Sequence, residues 1–445
     1  MINTETNKLT RCLLGLAGVV LLGLQGPVQA KEDQKFPYTG DCASLGADRT
    51  TEFHGNPERA ELLLGMAGNQ WTVFDEVMRQ FNFYRGLDDA VPAHQDNYSL
   101  AELRDPSRAD YYIQLIPPGQ IRDQIKSGCM TLGNIDENDP GRNFLPLSIQ
   151  VEFDVFASTN YNLMRDLAAS GFVTEALPYT KNQLDLMVRE GNPKGIGVGD
   201  TDYERIFDMV MDLLDANVAV SQPDHINEGI HRGINNMYKA MDEYIRTNGS
   251  DNDIDVLDAA LAAVQTPLPG SPGETRPLEE DIDTDFNLAT NAECHYSDGT
   301  LRFCEIAVLN KINTHETRVH HVETPARVRS GESDTGPLWV TEVAYAEAKQ
   351  DEPGSTLVRV GGVGIPEAVN TPVTYSITLL STAKHKRLGR EFIDWIRSPL
   401  GQQVYEDGGF LPMSDAELAG GECYSVDRKT GELLPPTPRV DNSCK

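Results

Sequence analysis

His320-His321-Val322-Glu323-Thr324-Pro325, running on to Gly331-Glu332-Ser333-Asp334-Thr335-Gly336-Pro337-Leu338-Trp339-Val340-Thr341-Glu342, is the stretch on which the fold turns. Thr324-Pro325 predicts an N-cap followed by proline at the first helical position, with a helix over 326–330 and a stop at Gly331. Residues 336–343 predict a buried strand, with Trp339 and Thr341 on one face and Val340 and Glu342 on the other. A strand-like run thus ends in two histidines, a helix starts, and a second strand returns. A helix start offers free N–H groups and the positive end of a dipole, which suits a small anion. The same histidines and glutamates would equally suit a metal ion. Both readings stay open.

The pattern repeats outward from there. Residues 61–66 predict a strand, 67–71 a glycine-bearing loop, and 72–81 a helix with Phe74, Val77, Met78 and Phe81 on one face. Residues 111–116 predict a strand, Pro117–Gln120 a loop, and 121–127 a helix ending near Gly128. Residues 151–157 predict a third strand, Ser158-Thr159 a turn, and 161–170 a helix ended by Gly171. Alternating strands and helices of this kind make an α/β sheet, in which ligands bind at the carboxyl ends of the strands.

Length and composition set limits. A chain of 445 residues suits more than one core. Lys8 and Arg11, an apolar run over 13–24 and Val28-Gln29-Ala30 read as a secretory signal peptide over 1–30. That run is too short for a membrane span, so a mature protein that is exported and not inserted in the membrane is expected. Six of the seven cysteines follow it. In an oxidising compartment they predict disulfides. Turn chemistry between them favours Cys294–Cys304; Cys423–Cys444 would close the tail, leaving Cys42–Cys129. Free buried thiols are the plainer alternative. The net charge of −30 argues against nucleic acid and against anionic membranes. It also offers no long-range help to an anionic ligand.

Several stretches together resemble one family. They are Asp154-Val155-Phe156-Ala157-Ser158, the helix carrying Met164 and Leu167, Gly171-Phe172-Val173, Tyr179 with Asn182-Gln183-Leu184, Gly191-Asn192-Pro193, Gly331–Gly336, and Gly389-Arg390-Glu391-Phe392-Ile393-Asp394-Trp395, Ser398-Pro399, Gly401-Gln402 and Gly409-Phe410. Their order and spacing resemble the molybdate- and tungstate-binding branch of periplasmic solute-binding proteins, over roughly residues 60–235 and 305–415. The resemblance implies a two-lobed type II α/β fold, each lobe a mixed sheet flanked by helices. Lobe one would take 59–155 and 345–420. Lobe two would take 156–344, with a surface insertion at about 246–305. An extension at 31–58 and a tail at 421–445 complete the chain. Crossovers at 153–157 and 339–345 would form the hinge, with closure around the ligand.

The resemblance also implies a function, which is capture of a small polar ligand in the periplasm for a membrane permease or sensor, by a monomer without cofactor or catalysis. The ligand would be an oxyanion such as molybdate or tungstate. The cleft would be lined by Asn69, Gln70, Trp71, Gly119, Gln120, Ser158, Thr159, Glu228, His320, His321, Glu323, Thr324, Trp339 and Thr341. Some positions depart from the family pattern. Asn69 stands where serine is usual, Pro118-Gly119 replaces Ser-Gly, Glu228 replaces a small residue, and Trp339 replaces tyrosine. A carboxylate at Glu228 would repel an oxyanion unless it points away or is protonated. The alternative is therefore a metal cation or metal complex held by His320, His321, Glu323 and Glu228. A third reading is an exported enzyme on the same scaffold.

Plainer readings stand beside these. His225 and His231 fit surface positions on a helix, and His320 and His321 fit core or cap hydrogen bonding. Asp251, Asp253 and Asp255 alternate as in a calcium loop, yet the required glycine and glutamate are missing, which leaves a solvated loop. Gly361-Gly362-Val363-Gly364 reads as a turn. Ser158, His320 and Asp334 have no spacing that supports a triad.

Overall fold

The computed structural model describes residues 43–45, 52–86, 111–132, 147–223, 230–264, 303, 313–316, 323–427, 430, 432–439 and 444. The signal-peptide reading, Glu228, His225, His320, His321, Cys42 and the Cys294–Cys304 pairing lie outside them. All described residues belong to one unit, Tyr38–Lys445.

In chain order the strands are β1 Ala43–Leu45, β2 Glu52–His54, β3 Leu62–Ala67, β4 Tyr111–Ile116, β5 Cys129–Leu132, β6 Leu147–Gln150, β7 Val155–Ser158, β8 Glu175–Asn182, β9 Leu184–Arg189, β10 Val220–Gln222, β11 Thr314–Glu316, β12 Thr335–Trp339, β13 Val360–Gly362, β14 Val373–Leu379, β15 Glu422–Cys423 and β16 Thr437–Pro438. The helices are α1 Phe74–Tyr84, α2 Pro118–Ser127, α3 Tyr161–Ala169, α4 Asp202–Leu214, α5 Ile230–Asn248, α6 Asp251–Val264, α7 Glu323–Ser330, α8 Val340–Gln350, α9 Lys386–Ile396, α10 Pro399–Asp407 and α11 Asp415–Ala419. A tight 3₁₀ turn, Gly68–Thr72, joins β3 to α1.

Two mixed sheets dominate, each flanked by helices, as in a two-lobed α/β binding fold. The larger has the order β16-β15-β8-β14-β7-β3-β4-β2 and the smaller β11-β10-β12-β9-β13. A third, three-stranded sheet runs β1-β5-β6. One apolar core extends through both large sheets, from Leu64 and Met66 to Leu186, Trp339 and Tyr375. A smaller cluster, including Met187, Val328, Leu338 and Val343, seats α7 and α8 on the smaller sheet.

Three expectations change. First, the predicted strand over 336–343 stops at Trp339, and α8 begins at Val340. Val-Thr-Glu-Val has strand composition, but Glu342 sits three residues after Trp339 and accepts its backbone N–H at 3.4 Å. That is half of a capping box, and the alanine-rich continuation favours helix. Helix α7 likewise starts at Glu323, one residue before the expected cap, and ends at Gly331, which has φ +79°.

Second, residues 155–158 are not a crossover; they form an inner strand of the larger sheet. The chain leaves that sheet between β8 and β9, at Gln183, because 175–189 is long enough to give one strand to each sheet. It returns between β13 and β14, so 340–362 stays with the smaller sheet. Asn370 laces the two passages together. Its Oδ1 accepts the Leu184 N–H at 3.2 Å and its Nδ2 donates to the Leu184 carbonyl at 2.7 Å.

Third, the start of the expected insertion is packed structure. Leu257 and Leu261 of α6 are buried, and Arg246 joins Asp242 to Asp258. Asp251 and Asp253 form the first turn of α6, where acidic residues favour the helix dipole; they are not a solvated loop.

The Ser398-Pro399 to Gln402 motif has a mechanical basis. Ser398 caps α10 by accepting the Gly401 N–H at 3.3 Å, and Pro399 opens the helix. Gln402 Nε2 donates to the carbonyls of Tyr179 at 2.6 Å and Ile396 at 2.9 Å. A Cβ on Gly401 would lie 2.6 Å from Ile396 Cα and would also meet two backbone oxygens. Gly401→Ala is therefore expected to cost about 1–3 kcal/mol, the usual range for overpacking. A denaturation midpoint equal to that of the parent chain would contradict this.

The outer side of β8 is closed as well. β15 pairs with Glu175 and Ala176, Arg397 Nε donates to the Pro178 carbonyl at 3.0 Å, and the Leu411 N–H donates to the Lys181 carbonyl at 2.9 Å. The Cys423–Cys444 disulfide, with Cα atoms 5.4 Å apart, ties down the tail that carries β15 and β16. Cys129 is also disulfide-bonded.

Asp185 on β9 gives a pH signature. Its Oδ1 accepts the N–H groups of Leu186 at 2.7 Å and Gly364 at 2.8 Å. Burial, with Glu347 nearby, nonetheless raises its pKa to about 6. A carboxyl whose folded pKa lies above its unfolded value takes up a proton on folding between the two. Its contribution is complete below about pH 4 and is lost as pH rises through about 6. Asp185→Asn keeps an Oδ1 acceptor and should remove that slope, gaining of order 2–3 kcal/mol relative to the parent above pH 6. Parallel stability–pH curves for the two chains would refute this.

Candidate functional site

Three of the predicted loops lie side by side along one end of the larger sheet. β3 pairs in parallel with β4, Ala67 opposite Ile116, and with β7, Gly65 opposite Phe156. Ala67 is therefore level with Ser158, and three neighbouring strands end together. Each runs directly into a helical turn. These are the 3₁₀ turn with Asn69, Gln70 and Trp71, the start of α2 with Gly119 and Gln120, and the start of α3 after Ser158 and Thr159. Pro118 starts α2 three residues earlier than expected, since proline fits the first helical position. The Gln120 N–H is consequently used, donating to the Pro117 carbonyl at 3.0 Å.

The smaller sheet presents its own strand ends. β10 and β12 are parallel, with Val220 opposite Thr335, and they lead toward α5 and into α8. The two sets meet around Tyr375 of β14. Asn69 Nδ2 donates to the Tyr375 hydroxyl at 2.5 Å, and the Trp339 ring lies 5.7 Å from the Tyr375 ring. Asn182 Nδ2 donates to Thr341 Oγ1 at 2.9 Å. Trp71 meets Tyr345 of α8 edge-on, with centroids 4.3 Å apart. Asn69, Trp71, Trp339 and Thr341 thus occupy the seam between the sheets.

Much of this seam is buried and internally satisfied. Gln70 donates to the Tyr179 hydroxyl at 2.6 Å and accepts from the Tyr405 hydroxyl at 2.6 Å. Burial pushes the phenols of Tyr179, Tyr375 and Tyr405 well above their usual value, so all three stay neutral. Ser158 Oγ accepts the Asn160 N–H at 2.9 Å. Thr324 Oγ1 lies 2.9 Å from Ser221 Oγ, and Glu323 pairs with Arg327 at 2.7 Å. His231 is buried in the first turn of α5, not on its surface, and has partners.

Among the described residues a number of buried polar atoms are unpaired. Thr159 Oγ1, Gln120 Oε1 and both amide atoms of Gln222 have no hydrogen-bond partner. Gln222 stands at the end of β10, 1% exposed. Sequence reasoning placed Gln222, Tyr375 and Asn182 in stretches resembling the family but did not name them as site residues. A glutamine closing the short Val-Ser-Gln strand was the available signal for the first. Among the described residues no group of three or more His, Cys, Asp or Glu is placed to hold a metal.

Residues 110–411 match the family described as bacterial extracellular solute-binding protein, and the chain belongs to that family. No curated protein sequence matches it. Solved structures similar to it include a periplasmic molybdate-binding protein from Azotobacter vinelandii, 12% identical, covering 79% of this chain and 100% of that one, with a TM-score of 0.43. The sulfate-binding protein SubI of Mycobacterium tuberculosis is 13% identical, covers 80% and 88%, and has a TM-score of 0.43. Iron-bound HitA of Pseudomonas aeruginosa is 14% identical, covers 80% and 86%, and has a TM-score of 0.41. Among the described residues no helix is long and apolar enough to cross a membrane.

Proposed function

We propose that this chain is an exported receptor that captures a small oxyanion, of the molybdate or tungstate kind, between its two sheets. It would hand the ligand to an ABC-type permease or a membrane sensor, acting by binding and release and not by catalysis. One observation carries the reading. Three parallel strands end level at Ile116, Ala67 and Ser158, and each opens into a helical turn, so three helical starts lie along one edge; the N–H groups of Gln120, Asn160, Asn162 and Leu163 already have partners within the chain, which leaves the dipole ends and the remaining N–H groups to face a ligand. Such groups attract anions through hydrogen bonds and the helix dipole. Asn69, Trp71, Gly119, Gln120, Ser158 and Thr159 would line one wall and Thr341 the other, with Gln70 and Trp339, held by Tyr179, Tyr405 and Tyr375, buttressing them from behind. The Thr159 hydroxyl and the Gln222 amide fit it, since a ligand at these strand ends would satisfy them, although buried polar atoms such as those of Asn82, Gln124 and Trp395 are likewise unpaired. With a net charge of −30, capture would rest on these local groups and not on long-range attraction.

The test is elemental analysis of protein purified from its own host, with melting curves before and after dialysis against a chelator. Co-purified molybdenum or tungsten, or a rise in melting temperature on adding molybdate after chelation, is the expected result. A stoichiometric first-row metal, lost to the chelator with a drop in melting temperature, would instead make this a metal-binding protein.

A further inference from the structure

A cavity of about 460 Å³ lies beside the seam, between Trp71 on the larger sheet and the α7–α8 hairpin with residues 352–357 on the other side. Its walls are mainly apolar, with Trp71, Tyr345, Pro325, Ala346 and Leu357 among them. Its polar groups are unevenly satisfied. Lys349 is paired with Glu352 at 2.6 Å, and Glu342 accepts the Trp339 N–H. Arg329 differs. One Nη donates to the Ala346 carbonyl at 3.0 Å, and among the described residues its Nε–H has no partner and it joins no ion pair. Burial lowers its pKa with no carboxylate to offset it. The Trp71 indole N–H is also without a partner. In a chain with 68 acidic and 38 basic residues, an unpaired guanidinium in a cavity is out of pattern.

The two unused donors call for an acceptor, and the uncompensated cation calls for a negative one. The aromatic walls call for a flat apolar body, because a tetrahedral oxyanion would fill little of the space and touch none of these rings favourably. We infer that this cavity binds a small organic carboxylate, its carboxyl on Arg329 and the Trp71 indole N–H and its apolar body against Trp71 and Tyr345. The inference goes beyond oxyanion capture: it shares Trp71 with the wall proposed for the oxyanion, but its anchor, Arg329, takes no part in the helix-start arrangement.

Benzoate is a suitable probe, followed by tryptophan fluorescence and by calorimetry on the whole chain. Of the three tryptophans only Trp71 lines the cavity, so the largest change in emission on binding is expected from it. Saturable binding is expected, weakened about tenfold or more in Arg329→Gln and less in Arg329→Lys, which keeps the charge. Thermal stabilisation by molybdate, if the oxyanion reading holds, should be unchanged in Arg329→Gln. Absence of benzoate binding to the folded parent chain would overturn the inference. So would equal affinity in Arg329→Gln. Displacement of benzoate by molybdate or sulfate would also overturn it, by making the cavity an inorganic-anion site.

Discussion

Asp154→Ala is expected to destabilise the fold by about 3–5 kcal/mol, one of the two largest single losses in the chain. The residue is completely buried. Its Oδ2 accepts the Leu63 N–H of β3 at 3.0 Å and faces His385 Nδ1 at 3.0 Å, while its Oδ1 accepts the His385 N–H at 2.8 Å. Its backbone N–H donates to the Leu63 carbonyl at 2.8 Å, and its carbonyl accepts the Leu380 N–H at 2.9 Å. One side chain therefore fastens β3, the approach to β7 and the start of α9. Alanine would leave the buried Leu63 N–H and the part-buried His385 N–H without acceptors, and that desolvation is the main penalty. Asp154→Asn retains one acceptor and should lose roughly half as much. Denaturant unfolding is the measurement. A loss under about 1 kcal/mol for the alanine variant would show that water or repacking replaces the carboxylate.

Trp339→Ala is expected to lose a similar amount, about 3–5 kcal/mol, for a different reason. The ring is 1% exposed and packs on Tyr375, and Gly233 of α5 is glycine where a Cβ would sit 3.7 Å from it. Truncation opens a cavity at the seam where both sheets share their core. Trp339→Phe, which keeps an aromatic ring, should recover most of the loss. Unfolding and ligand affinity need to be measured on the same samples. A folded, fully stable Trp339→Ala chain with weakened ligand binding would mean that the ring faces a ligand and not the core.

The sequence was most legible where strands feed helices. The strand at 111–116, the α1 face of Phe74, Val77, Met78 and Phe81, and the stops at Gly128, Gly171 and Gly331 follow from periodicity and left-handed glycine. It misled where composition and position compete. Val340-Thr341-Glu342-Val343 looks like strand, but Glu342 at the third helical position and the alanines beyond it decide for helix. The passage between sheets at Gln183 was hidden because β8 and β9 read as one extended run. For the site, the loops at Asn69, Gly119 and Ser158 were legible because strand ends in such sheets carry ligands. What was not legible is that Gln70 is consumed by Tyr179 and Tyr405, residues 109 and 335 positions away. Long-range hydrogen bonds of this kind leave no local pattern. The unpaired Arg329 has the same cause, since only its missing partners distinguish it from an ordinary helix-surface arginine.

The closure of β8 bears on how the protein behaves at high concentration. An open strand edge is a template on which a neighbouring chain adds a strand, and repeated addition leads to aggregates. Here Pro178 has no N–H to offer, and the Pro178, Tyr179 and Lys181 carbonyls are taken by Arg397, Gln402 and Leu411. The remaining outer strands of both large sheets, β2, β11, β13 and β16, are two or three residues long. Among the described residues neither sheet offers a long unpaired row of backbone groups, so intermolecular strand addition has little to start from there until the disulfide-held tail is released.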